Sequence, residues 1–157
     1  MLEIVSIFLA TKLHVIIVLT ALVFVALASD YQRLRILVLA TISLPLTFIV
    51  SRSASLLVEN PRPFLEHDFM PLVAHAADNG FPSDHALLVF AIASIVFTFN
   101  KSAGIVLFIM AALVGFGRVL VGVHHVVDVL GSFVIAASIV SLCYLTLRSS
   151  LTETYKD

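Results

Sequence analysis

Long apolar runs alternate with polar interruptions along the chain, at about residues 12–29, 34–57, 85–99, 103–121 and 127–147. An α-helix needs roughly 20 apolar residues to cross a bilayer core, so these runs predict transmembrane helices. The third run is shorter than that, and Phe97 and Phe99 extend it toward the interface. Met1–Thr11 is apolar too and either lengthens the first run or lies along the membrane surface. Pro45 is expected to kink the second run. Ala111, Ala112, Gly115 and Gly117 give the fourth run a small-residue face for close helix packing. The pattern predicts an all-α, polytopic membrane bundle of about five transmembrane helices. It forms a single domain over 1–157, with its polar chemistry in 52–147.

Composition supports this reading. The 157 residues are 61% hydrophobic and only 12% charged, about half the charge of a soluble domain. A net charge of −1 leaves no basic face for nucleic acid. Cys143 is the lone cysteine and has no intramolecular partner. Ala26-Leu27-Ala28 resembles a signal-peptide cleavage site, but residues 1–11 lack a basic leading region, so the segment is read as a span.

Alternation of spans places loops 58–84 and 122–126 on one side. The other side receives 30–33, 100–102 and the tail from Arg148. Arg33, Arg35, Lys101, Arg148 and Lys156 fall on that second side, which the positive-inside rule assigns to the cytoplasm. The first side then faces outward, although Lys12 counts against this orientation.

Three polar clusters on the outward side ask for a functional explanation, because ionisable groups at a membrane boundary are costly. His124 and Asp128 are four residues apart and share a helical face. A carboxylate on one ring nitrogen fixes the tautomer, frees the other nitrogen and stabilises an imidazolium. A polar cap on the fifth span accounts for the pair equally well. His125 points about 100° away. Arg118 can face His124 across a break at Gly122, offering a phosphate-matched fork, or it can simply snorkel. Ser83 is a plausible N-cap of the third span, where free N–H groups favour an anion. Asp84 suits the first turn, and His85 is placed to donate a proton. In Asn60-Pro61-Arg62-Pro63 the prolines stiffen the chain around Arg62, which is otherwise an ordinary loop arginine. His67 and His75 carry no assigned role, and His14 is a first-span residue of unassigned function.

Taken together, Arg62-Pro63, Pro82-Ser83-Asp84-His85 and Gly117-Arg118 with spaced His124 and Asp128 resemble the type 2 phosphatidic acid phosphatase (PAP2) superfamily of membrane phosphatases. The resemblance runs from about residue 55 to the C-terminus. Three positions depart from the pattern. Ser55 stands at the motif lysine, Asp84 at the usual glycine and Gly117 at the usual serine. Arg52, one helical turn before Ser55, is a candidate replacement for the lysine. Phe81-Pro82-Ser83-Asp84-His85-Ala86, Pro61-Arg62-Pro63-Phe64 and Gly122-Val123-His124 resemble the bacterial branch acting on undecaprenyl diphosphate, the cell-wall lipid carrier.

The resemblance implies a multi-pass protein of the bacterial cytoplasmic membrane whose site faces outward. His124 is then the nucleophile, forming a phosphohistidine. Asp128 orients it, and His85 protonates the leaving lipid phosphate. Arg62, Arg118, Ser83 and the candidate lysine replacement Arg52 hold the phosphate oxygens. No metal or other cofactor is required. Membrane lipid surrounds the protein, and its substrate is a polyprenyl or glycerolipid phosphate. Phosphatidate, phosphatidylglycerol phosphate or a lipid A phosphate fits the same chemistry. Two readings outside this one are a metal-binding membrane protein or transporter built on His85, His124, His125 and Asp128, and a pseudoenzyme that binds phospholipid without turnover. Arg62 and Arg118 weigh against a cation.

Overall fold

The computed structural model describes residues 1–67 and 69–153, with side chains through Arg148. Lys156, counted above on the basic side, lies outside the described residues. The described residues form helices α1 (Leu2–Thr11), α2 (Leu13–Leu27), α3 (Asp30–Leu57), α4 (Pro63–Glu66), α5 (Asp84–Phe99), α6 (Lys101–Leu120) and α7 (Val126–Glu153).

Polar residues set the helix ends at the basic side. Ser29 caps α3, its hydroxyl accepting from the Gln32 N–H at 3.4 Å. Asn100 caps α6 by accepting from the Ala103 N–H at 3.0 Å. Arg33 donates to the carbonyls of Val25, Ala26 and Ala28 at 3.3, 3.1 and 2.9 Å, satisfying the last turn of α2. Arg35 and Lys101 rest on aromatic faces at this same end, Lys101 3.9 Å from the Phe97 ring centre.

The spans agree closely with the apolar runs, with two adjustments. The first apolar region is two helices meeting at a 44° bend, so Met1–Thr11 neither continues the span straight nor forms a separate crossing. Helices α3, α6 and α7 are each long and apolar enough to cross a membrane, and the bent α1–α2 pair makes a fourth candidate. Helix α5 has 16 residues and rises only about 24 Å. The count of five therefore holds when the bent pair and short α5 each count as one crossing. Chain alternation and these apolar helices make this a multi-pass membrane protein. Helix α3 continues through Pro45 as one element.

Helix α5 is the core of the bundle. Ala86, Leu87, Val89, Phe90, Ala91, Ala93, Ile95 and Val96 are all buried, and α2, α3, α6 and α7 pack around it. A helix apolar on every side fits that central position. Lipid tails are as apolar as leucine, so close packing rather than water exclusion holds such helices together. Two glycines of the predicted small-residue face supply it. Gly115 leaves room for the Val129 side chain of α7. A Cβ on Gly117 would stand 2.7 Å from the Ala10 backbone nitrogen of α1. Ala111 is buried, but Ala112 is exposed, so the face is narrower than the sequence pattern implied.

Candidate active site

The ends of α3 and α6, the beginnings of α5 and α7 and the α1–α2 bend share one end of the bundle, and the long loop 58–83 folds over it. Asn79 ties the loop's two ends together. Its side-chain amide donates to the carbonyls of Ser55 and Val58, both at 2.8 Å, and to the Ser55 hydroxyl at 3.2 Å. Its side-chain oxygen accepts from the N–H of Asn60 at 3.0 Å. The Gly80 N–H donates to the Asn60 carbonyl at 2.8 Å. Across the top, the Leu72 N–H donates to the Val121 carbonyl at 3.0 Å, fastening the loop to the α6–α7 connection.

That connection turns at Gly122, whose φ of +80° favours a residue without a Cβ. The turn leaves Arg118 in the last turn of α6 and delivers His124 just before α7. His124 is almost fully buried. Its Nδ1 lies 3.2 Å from Asp128 Oδ2, and its Nε2 lies 3.2 Å from Arg62 Nη1. One tautomer satisfies both contacts. Nδ1–H donates to the carboxylate, and the Nε2 lone pair faces the guanidinium. Burial pushes the His124 imidazole below its ordinary value, and the Asp128 hydrogen bond offsets only part of that effect. The ring is therefore held neutral, the form needed for attack on phosphorus.

Asp128 is fully buried and well supplied with donors. Oδ1 accepts from Asn60 Nδ2 at 2.7 Å, and Oδ2 accepts from the His125 N–H at 2.8 Å. A buried carboxylate needs such partners. Arg62 is held as tightly. Its Nε donates to Asp78 at 2.8 Å and its Nη1 to the Val123 carbonyl at 2.9 Å. Burial works to raise the Asp78 carboxyl, but Arg62 outweighs it and holds Asp78 below the usual carboxylate range.

Arg118 is only 3% exposed, yet its Nε and Nη2 are buried without a hydrogen-bond partner. A buried guanidinium with free donors is costly unless an anion completes it. The Ser83 hydroxyl is likewise buried and unpartnered. Ser83 does occupy the N-cap position of α5, but its side chain makes no cap bond, contrary to the sequence expectation. His85 lies in the first turn of α5, where the charges of Arg118 and His124 act on it.

The structure thus brings together His124, Asp128, Arg62, Arg118, Ser83 and His85. It places Arg52 differently. Arg52 Nη2 donates to both carboxylate oxygens of Asp84, at 2.9 and 2.8 Å, in a pair more than half exposed. Arg52 and Asp84, both flagged by the sequence, are partners at the rim. His125 also stands apart, with its Nε2 3.1 Å from Glu66.

Sequence reasoning assigned no role to several residues that the site employs. Asn60 and Asp78 hold Asp128 and Arg62, but single loop amides and carboxylates carry no spacing signal. His75 stacks edge-on to His124 with ring centres 5.9 Å apart, and His14 does the same to His85 at 4.7 Å. Burial, then Arg62, Arg118 and His124, push the His75 imidazole down.

A profile described as the PAP2 superfamily matches residues 53–150, well over half of the chain. The chain belongs to the PAP2 superfamily. Undecaprenyl-diphosphatase BcrC of Bacillus subtilis (strain 168) is 42% identical over 88 residues, 56% of this chain and 46% of the relative. Putative undecaprenyl-diphosphatase YbjG of Escherichia coli (strain K12) is 32% identical over 127 residues, 80% of this chain and 64% of the relative. The chain thus spans about half to two thirds of the length of these curated relatives. The fold matches a solved transmembrane PAP2-type phosphatidylglycerolphosphate phosphatase from Bacillus subtilis, with a TM-score of 0.57 at 22% identity, covering 94% of this chain and 84% of that one.

Each departure from the PAP2 motifs has a local structural counterpart. Ser55 accepts from Asn79, Asp84 receives Arg52, and Gly117 admits α1 against α6.

Proposed function

We propose that this PAP2 protein is an integral-membrane lipid phosphatase that removes the terminal phosphate of undecaprenyl diphosphate and so recycles the cell-wall lipid carrier. The observation that carries this reading is His124. Its Nδ1 is held by Asp128, and its Nε2 faces the Arg62 guanidinium. The names of the relatives favour a polyprenyl diphosphate as the substrate.

In this mechanism His124 Nε2 attacks the terminal phosphorus while the bond to the bridging oxygen breaks. His85 delivers a proton to that oxygen, releasing undecaprenyl phosphate. Asp128 stabilises the imidazolium character that develops on His124. Arg62, Arg118 and Ser83 meet the equatorial oxygens as charge redistributes. Water, deprotonated by His85, then cleaves the P–N bond and frees phosphate. Arg52 joins the phosphate contacts by exchanging Asp84 for substrate.

A groove of about 300 Å³ between α3 and α5 gives the lipid tail a path. It is lined by Leu44, Thr47, Phe48, Leu87 and Leu88, with Arg52 and Asp84 at its mouth. A larger apolar cleft of about 980 Å³, among α5, α6 and α7, is lined by none of the clustered site residues. The basic opposite end of the bundle supports a cytoplasmic placement for it, with the site facing outward.

A phosphatase of another lipid phosphate uses the same groups, since His124, His85, Arg62, Arg118 and Ser83 act only on the phosphate and its leaving oxygen. Phosphate release by the purified protein from undecaprenyl diphosphate, beside phosphatidate and with chelator present, tests the reading. Chelator-resistant release with preference for the diphosphate supports it. Preference for phosphatidate moves the substrate assignment, and loss of release with chelator defeats the scheme.

A further inference from the structure

The charge of Arg118 reaches four imidazoles, not two. His85 and His124 belong to the motifs. His14 and His75 do not. The added rings are not equivalent. His75 stands against His124, whereas His14 stands against His85, edge to face with an interplanar angle of 88°. His14 Nδ1 is buried and has no hydrogen-bond partner. Buried polar atoms are nearly always paired, so such an atom beside the site calls for a missing oxygen.

His14 reaches this position because the first apolar region is broken. The 44° bend between α1 and α2 falls at Lys12, and His14 lies in the first turn of α2. Lys12 is exposed, and its charge acts on the His14 ring. The bend therefore sets an imidazole against His85, with the Lys12 cation two residues away and acting on that imidazole. Both residues precede the segment matched by the family profile, which begins at residue 53.

Phosphoryl transfer needs the attacking and leaving groups roughly in line with phosphorus between them. With His124 attacking, the leaving oxygen lies on the His85 side, and so does whatever that oxygen carries. In a monoester it carries a neutral lipid alcohol. In a diphosphate it carries a second, anionic phosphate, on the side where His14 stands against His85 and Lys12 acts on His14. We infer that Lys12 and His14 form a subsite for the lipid-linked phosphate of a diphosphate substrate. The inference deepens the proposed function and rests on it. It also gives a local reason for Lys12, a cation at the end that charge distribution places outside.

The test compares wild type with Lys12→Gln and His14→Gln in two arms. In the first, kcat/KM is measured on undecaprenyl diphosphate and on phosphatidate. The ratio of the two is expected to fall about tenfold in each variant, the loss of one charge-assisted contact. An equal fall on both substrates would make His14 only a positioning residue for His85 and overturn the subsite, as would a ratio within twofold of wild type. In the second, the His124→Ala background removes turnover, and binding of farnesyl diphosphate and farnesyl monophosphate is measured directly. Each added substitution should weaken the diphosphate about tenfold more than the monophosphate. Equal weakening overturns the subsite even if the enzyme is a phosphatase. Selective weakening supports it even if His124 proves not to be the nucleophile.

Discussion

Replacing Asn60 with Ala tests whether Asp128 is a working part of the site. Asn60 Nδ2 donates to Asp128 Oδ1 at 2.7 Å, and Asp128 is fully buried. The substitution removes that donor and leaves one lone-pair face of a buried carboxylate unsatisfied. Hydrogen bonds to charged groups contribute about 1.5–3 kcal/mol. Asp128 keeps its contacts with the His125 N–H and His124 Nδ1, so the carboxylate stays near the ring but is free to rotate. If that energy is expressed in the transition state, kcat falls about tenfold to a hundredfold, since each 1.36 kcal/mol is about tenfold in rate. KM should change little, because Asn60 is not among the proposed phosphate contacts. The assay is steady-state phosphate release from undecaprenyl diphosphate, with thermal denaturation of the same preparation as a check on folding. A folded Asn60→Ala protein with wild-type kcat would refute the idea that Asp128 must be held from both sides. A change confined to KM would refute its placement behind the nucleophile.

Restoring the motif serine by Gly117→Ser should destabilise the protein by about 1–3 kcal/mol, because the new side chain overpacks the α1–α6 contact. An unchanged melting temperature would contradict that packing. Arg52→Ala should change stability by less than about 1 kcal/mol, since its pair with Asp84 is more than half exposed, while lowering turnover if Arg52 replaces the motif lysine. Normal turnover would remove Arg52 from the phosphate contacts. Histidine NMR, assigned with His124→Ala, should show the His124 ring titrating below the ordinary value of about 6.5. The direction follows from burial, which penalises the charged ring, so His124 stays neutral until pH falls below that value. A midpoint above it would contradict the environment described.

The spans were legible because each apolar run is long and bounded by polar residues. The shortest, 85–99, is a helix at Asp84–Phe99 that is shorter than a full span and packs at the centre of the bundle, a position its sequence did not announce. The His124–Asp128 contact was expected from helical spacing, but His124 precedes α7 and reaches Asp128 from outside the helix; the break at Gly122 was legible from a glycine between two polar groups. Tertiary contacts were not. Asn60 meets Asp128 across 68 positions and Arg62 meets Asp78 across 16, and no local period encodes either. Ser83 illustrates the converse. Its type and position both signalled a cap, yet its hydroxyl makes no cap bond. His14 drew no assigned role because a single histidine in an apolar run is silent until a bend carries it to another ring.

The central claim is that His124 becomes covalently phosphorylated. Undecaprenyl diphosphate labelled on its terminal phosphate should be mixed with the purified protein and quenched under alkaline conditions that preserve phosphohistidine. Peptide mass spectrometry then locates the label. The account predicts label on His124, more of it in His85→Ala, and none in His124→Ala. Label on another residue, or product formed with no labelled histidine at any quench time, would contradict it.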